Sequence, residues 1–468
     1  MPTEAAAPTT ALREGARPPR TAELFAHEYR GLTLGLVSTI TLVAFEALAT
    51  STILPLVKAD LGHLDLYGWT FSAFFLANLI GIVIAGGMLD RLPIRRPFAA
   101  GLLLFAVGLG IAGLAPSMEV LVAARFLQGL GGGAVAPTAY VAIGRTLPES
   151  LRPRMFAMLS TAWVVPGLVG PAIAGVVADV IHWRAVFLGL LPLLAASGAL
   201  AVVALGQVPS ARASERDATR ATARRLPKAL VVAAGSGILV VAMTDPRPLV
   251  AIGGSIVGLA LLVPAFRGLA PRGTLVAAAG LPAAILLRGL LTFSFFGVDA
   301  YVPLLLVDIR GTSAAFAGLA LTAATLTWTT GSWVQARRND QWGARNLAAL
   351  GFTTVAAGTA GTAIVLLPAI SPLAGIVTWA IAGLGMGFAY STFSIVVLRD
   401  APVAEQGAAS SALQLSDTLG TALGTGVAGA IIAAAERGAH VAVGFGGVIA
   451  LGAASALLGL VLASRIRA

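Results

Sequence analysis

Short polar gaps divide the chain into apolar runs, each long enough to cross a hydrocarbon layer as a helix, which takes about 20 residues. The runs lie near 32–57, 69–89, 97–115, 119–143, 155–178, 185–206, 229–244, 248–266, 281–307, 313–335, 346–368, 372–398, 407–434 and 440–463. In lipid every backbone polar group must find its partner inside the protein, so a series of this kind predicts an all-α polytopic membrane protein with fourteen transmembrane helices. The composition agrees: 57% of residues are hydrophobic and 11% charged, against about 25% charged in a soluble domain, and the mean hydropathy is +0.89. The formal charge of +10 is not a nucleic-acid signature, because the basic residues are concentrated in the gaps between runs. The absence of cysteine excludes disulfides, thiolate metal sites and a cysteine nucleophile.

Residues 1–30 mix Pro, Ala, Arg and Glu without an apolar centre, which predicts a disordered cytoplasmic tail rather than a signal peptide. Six runs occupy 31–206. A basic loop, Gln207 to Lys228, then precedes two linker runs joined at Asp245-Pro246-Arg247, all within 207–280; full spans and a re-entrant hairpin both fit this pair. Six more runs fill 281–464, and 465–468 form the C-terminus. Short cytoplasmic loops are enriched in Lys and Arg. With the N-terminus inside, only Lys58, Arg184, Arg247, Arg310 and Arg437 fall outside, and 25 of the 31 basic residues lie inside or at the inner margin. Both termini are therefore expected in the cytoplasm.

Leu121 to Tyr140 places Arg125 inside an apolar run, followed by Gln128, Gly129, Gly131, Gly132 and Gly133. A cation there costs roughly 2.5–3.5 kcal/mol on insertion scales, so it is kept where it faces protein or a wet cavity. The frame recurs downstream, where Trp379, Gly383, Gly385 and Gly387 stand at the spacing of Arg125, Gly129, Gly131 and Gly133. Likewise Pro55 with Asp60 is matched by Pro303 with Asp308. Such repeats imply two six-helix bundles around a cavity near the midplane, related by pseudo-two-fold symmetry, plus two extra central helices.

With these motifs the chain resembles the major facilitator superfamily, specifically its fourteen-span drug:proton antiporters of the multidrug efflux type. The loop after the second run carries Gly86, Asp90, Arg91 and Arg95 in the family's pattern, with Pro93 and Ile94 as departures. An Asp at a helix end can pair with an Arg or a helix N-terminus of the other bundle, so the resemblance implies a conformational latch. Arg125, Gln128 and Gly129 match the fourth-helix motif, which implies proton coupling. Gly170, Pro171, Ala174 and Gly175, preceded by Pro166, match the exporter motif of the fifth helix. A proline there removes a helix hydrogen bond, and Pro166, Gly170, Pro171 and Gly175 are expected to form a hinge between the bundles.

Acids able to carry protons within the apolar runs are Glu46, the first choice, Asp299 and Asp417. Expected cavity residues are Asn78, Gln128, Tyr140, Trp163, Phe296, Tyr301, Tyr390 and Phe393, a set suited to amphipathic organic molecules. The resemblance implies a monomeric exporter of drug-like compounds in the cytoplasmic membrane, touching lipid, exchanging protons for substrate by alternating access and contributing to antibiotic resistance. No cofactor, metal or nucleic-acid partner is expected, the proton gradient being the energy source. An exporter of an endogenous metabolite or lipid, or a proton symporter of small organic solutes, shares much of the pattern. An enzyme is not expected: His27, His63, His182 and His440 fall in the tail or loops, and no nucleophile elbow or phosphate-binding loop is present.

Overall fold

A computed structural model describes residues 21–89, 92–148, 151–208, 215–402, 406–438 and 440–467. Six helices form the first bundle: α1 (Arg30–Leu61), α2 (Tyr67–Leu89), α3 (Arg95–Gly113), α4 (Met118–Thr146), α5 (Arg152–Val180) and α6 (Trp183–Leu205). Then come α7 (Glu215–Thr244) and α8 (Pro248–Arg267). The second bundle holds α9 (Leu281–Asp299), the short α10 (Val302–Leu304) with a π-type turn at Leu305–Ile309, α11 (Ala314–Thr362), α12 (Leu373–Asp400), α13 (Gln406–Arg437) and α14 (Val441–Leu462). The end at which α1 begins is called the near end below, and the opposite one the far end.

Thirteen segments among the described residues are long and apolar enough to span a membrane, α7 and α8 included. The part of α11 ahead of Gly343, less apolar because it carries Thr, Trp and Gln, makes the fourteenth. The loop expected between the tenth and eleventh spans is itself helical. The break is confined to Gly343, whose φ of 71° lies where glycine carries no Cβ penalty. Helix α7 likewise starts at Glu215, inside the stretch expected to be a basic loop, because its charged first turns continue the apolar helix. Within the segment expected to be disordered through residue 30, Thr21–Phe25 form a tight helical turn, Leu24 is fully buried and its carbonyl accepts from Thr33 Oγ1 at 2.9 Å.

The internal repeat is visible in how glycine brings helices together. A Cβ on Gly129, Gly131 or Gly133 of α4 would stand 2.1, 2.3 and 2.4 Å from the carbonyl oxygens of Phe74, Gly101 and Asn78, on α2, α3 and α2. On α12, a Cβ on Gly383, Gly385 or Gly387 would stand 2.2, 2.5 and 2.3 Å from those of Ala324, Gly351 and Trp328, on α11 before, after and before its break. Side-chain-free positions let backbones approach where lipid supplies no hydrophobic drive between helices.

Hydrogen-bonded ties join the bundles on their far halves. Lys58 Nζ meets Asp308 Oδ2 at 2.7 Å, Tyr67 donates to the Ala300 carbonyl at 3.3 Å, Ser72 donates to that of Ala422 at 2.8 Å, and Asp179 accepts from the Ala315 amide at 3.1 Å. Helix α7 lies across the seam of α2 and α13, its Ala229 and Val232 clustering with Leu79 and Leu419.

Candidate functional site

Among the described residues the buried charged side chains are Glu46, Arg125, Arg288, Asp299 and Asp417, and they fall into three clusters. Arg125 reaches from α4 to Glu46 on α1, pairing with its Oε1. Thr50, one turn along α1, donates to the same oxygen at 3.0 Å. The guanidinium also donates to Gln128 Oε1 at 2.8 Å and to the Thr70 carbonyl at 3.1 Å, and it lies 4.4 Å from the centroid of the Phe74 ring. Glu46 Oε2 is buried without a hydrogen-bond partner. A buried polar atom is rarely left so in a folded interior.

The second cluster repeats the geometry with different chemistry. Trp379 stands on α12 where Arg125 stands on α4, and its indole N–H donates to Asp299 Oδ1 at 2.7 Å. Asp299 makes no ion pair with any described residue. Phe295 stacks on the indole at 4.9 Å with ring planes 20° apart.

Nearer the near end, Arg288 of α9 holds Asp417 of α13 by two hydrogen bonds, 3.0 and 3.4 Å. Tyr390 of α12 donates to Asp417 Oδ2 at 3.0 Å, and its carbonyl accepts from Arg288 Nη1 at 2.5 Å. Asp417 lies three turns into α13, which begins at Gln406. Arg288 was not among the residues singled out from sequence, because its place seven positions into the 281–307 run read as inner margin. A cation bounded by Ile285, Leu286, Leu287 and Leu290 was the available signal.

A sequence profile described as Major Facilitator Superfamily matches residues 34–425. The chain belongs to the Major Facilitator Superfamily. Among relatives, the "Probable multidrug-efflux transporter" of Mycobacterium tuberculosis is 31% identical over 429 residues, covering 88% of this chain and 89% of the relative. Multidrug resistance protein 3 of Bacillus subtilis is 31% identical over 156 residues, 33% of this chain and 30% of the relative. Among solved structures, the POT family transporter PepTSo aligns with TM-score 0.69 at 14% identity, covering 92% of this chain and 97% of that one. The nucleoside transporter NupG aligns with TM-score 0.64 at 11% identity, covering 93% and 98%. The chain is thus a multi-pass membrane protein of a secondary-transporter family.

The remaining family positions are distributed unevenly. Of the expected latch, Asp90 and Arg91 lie outside the described residues, Gly86 has open space where a Cβ would point, and Arg95 opens α3. At the expected hinge, Pro166 and Pro171 sit inside a continuous α5. A Cβ on Gly175 would stand 2.6 Å from the Ala315 backbone, whereas Gly170 faces Phe45 of α1 at 3.3 Å. Three expected cavity residues are fully buried instead. Gln128 serves the Arg125 cluster, Tyr301 donates to the Thr425 carbonyl at 2.9 Å, and Phe393 packs on Phe352. Asn78, Phe296 and Tyr390 are half-buried. Tyr140 and Trp163, on the near halves of α4 and α5, are 54% and 49% exposed.

Proposed function

We propose that the chain is a proton-coupled exporter of amphipathic, drug-like organic compounds. It works as a monomer in the cytoplasmic membrane by rocking its two bundles, with both termini in the cytoplasm. The observation that carries this reading is the charge balance of the interior: three acids against two arginines, with Asp299 the acid that faces no cation. Ion pairs remain satisfied as the bundles move, whereas a lone buried carboxylate must exchange its charge for a proton or a counterion. One charge moved through 100 mV supplies about 2.3 kcal/mol, enough for a roughly fiftyfold gradient of a neutral substrate. Glu46, Arg125 and Asp417 belong to the same coupling system, and the unpartnered Glu46 Oε2 is the atom on which the paired acid takes its proton. In this reading the far end is closed and the near end opens to the cytoplasm, with Gly86, Asp90, Arg91 and Arg95 latching the opposite state. The multidrug-efflux name of the Mycobacterium tuberculosis relative supports the direction.

The test is transport by purified protein in proteoliposomes with an imposed pH gradient, against a panel of organic cations, neutral drugs and lipid probes. Gradient-driven efflux of drug-like compounds is expected, falling at least tenfold in Asp299→Asn and in Glu46→Gln while both variants stay folded. Equal rates with and without the gradient overturn the coupling. Movement of lipid probes alone overturns the substrate class, and uptake in place of efflux overturns the direction.

A further inference from the structure

In the second bundle aromatic rings lie in two layers that meet at one residue. In the buried layer Phe295 stacks on Trp379. In the other layer Phe296, Trp328 and Tyr390 are only half-buried. Trp328, on α11, touches both layers, with its ring centroid 5.8 Å from Phe295, 6.2 Å from Phe296 and 5.1 Å from Tyr390. None of the three lies parallel to it, their planes being inclined at 81°, 50° and 65°. The parallel, offset position beside the indole, which aromatic groups favour, is therefore not filled by these neighbours.

Two of the three neighbours of Trp328 are tied to buried polar groups, Phe295 through Trp379 and Tyr390 directly. Phe295 is fixed by Trp379, which is anchored by its hydrogen bond to Asp299. Tyr390 is fixed by its hydroxyl on Asp417 and by the Arg288 guanidinium 3.0 Å from its ring centroid. Tyr390 cannot turn away without breaking a hydrogen bond, nor Phe295 without unstacking from the anchored Trp379, so less side-chain order remains to be lost on binding. We infer that Trp328 is a specificity-determining residue selecting planar aromatic substrates, with Trp379 and Tyr390 as the positioning residues that hold its ring. This deepens the exporter reading and rests on it for the word substrate, but binding can be measured without transport.

The experiment is binding of two organic cations, planar ethidium and non-planar tetraphenylphosphonium, to the full chain in detergent. Ethidium is followed by fluorescence anisotropy and the second probe by equilibrium dialysis. Trp328→Leu is expected to weaken ethidium at least tenfold and tetraphenylphosphonium less than threefold. Trp328→Phe, which keeps a flat ring, should restore ethidium to within threefold of the wild type. Tyr390→Phe, which keeps the ring and frees it from Asp417, should weaken ethidium about threefold to fivefold. Equal loss of both probes in Trp328→Leu with no rescue by Phe, unchanged ethidium binding in Trp328→Leu, or no ethidium binding by the wild type each overturns the inference. If ethidium binds as expected but is not moved by a pH gradient in proteoliposomes, the exporter reading fails while the role of Trp328 stands.

Discussion

The two bundles use the same scaffold to bury an acid and complete it in opposite ways. On the first, α4 presents an arginine to Glu46 of α1. On the second, α12 presents an indole N–H to Asp299 of α9. The glycines that seat α4 and α12 on their neighbours are matched one for one, so backbone packing is not the source of the difference. The first site is a closed charge pair. The second is a carboxyl with one neutral donor, and there gain or loss of a proton leaves no cation without its partner.

The sharpest way to break this comparison is to remove the arginine. Arg125→Leu leaves Glu46 with Thr50 as its main donor in a low-dielectric interior, and stripping one partner from a buried pair costs about 3–5 kcal/mol. A loss of folded protein of that size is expected in a denaturant titration in detergent, with much of it recovered in the double variant Glu46→Gln/Arg125→Leu. If the single variant is as stable as the wild type, Glu46 does not need its cation and the two sites are alike.

A second test asks whether the scaffold is as symmetric as its glycines indicate. Gly129→Ala and Gly383→Ala each put a methyl group within 2.3 Å of a carbonyl oxygen on a neighbouring helix, on Phe74 and Ala324. Overpacking typically costs about 1–3 kcal/mol, and backbone contacts this close belong at the upper end. The two variants are expected to lose equal stability, while Gly144→Ala and Gly189→Ala, which meet nothing within 4 Å, lose almost none. Unequal losses at Gly129 and Gly383 would mean that the bundles differ in packing as well as in charge.

Much of this architecture was legible in the chain. The spans follow from apolar length, and the matched glycines follow from spacing alone, since both depend on periodicity along one helix. What was not legible depends on rotation about helix axes and on contacts between helices. Trp379 was noted as the counterpart of Arg125, but nothing in sequence says that its N–H meets Asp299. Arg288 was passed over because a cation near a helix end reads as a margin residue until Asp417 is found beside it. The burial of Tyr301 and Phe393 was missed for the same reason: an aromatic residue has no sequence mark that separates a cavity wall from a core. The continuity of α11 was hidden because Arg337, Arg338 and Asn339 suit a loop and a solvated helix end equally well.

A smaller effect separates the charge pair from the neutral contact. Trp379→Phe keeps an aromatic ring on Phe295 and removes the donor to Asp299, and a stranded buried acceptor costs about 1–3 kcal/mol. The loss should fall below that of Arg125→Leu, because Trp379→Phe removes one neutral donor whereas Arg125→Leu removes the charged partner of a buried ion pair. Proton-driven transport, by contrast, should be altered in Trp379→Phe. A variant that loses as much stability as Arg125→Leu would place both acids in the same ionised class.

The smallest effect concerns the equivalent acids Asp60 and Asp308. Asp60 is held within its own bundle, accepting from Arg184 at 2.6 Å and from Trp183 at 3.0 Å, and Asp308 crosses to Lys58 of the other bundle. A partly exposed pair contributes about 0.2–1 kcal/mol, which is at most a factor of about five in a two-state population. Asp308→Asn is therefore expected to leave stability almost unchanged and to shift the balance towards the state open at the far end. The chain lacks cysteine, so a single Tyr140→Cys on the exposed near half of α4 reports that balance through its rate of reaction with a soluble maleimide. The rate should fall by up to fivefold in Asp308→Asn and recover when the charges are exchanged in Lys58→Asp/Asp308→Lys. Asp60→Asn should leave it unchanged, because breaking a contact inside one rigid bundle favours neither orientation of the pair. If Asp60→Asn and Asp308→Asn slow labelling equally, the far-end tie is not what separates the two states, and the distinction between bonds within and between bundles loses its mechanical meaning.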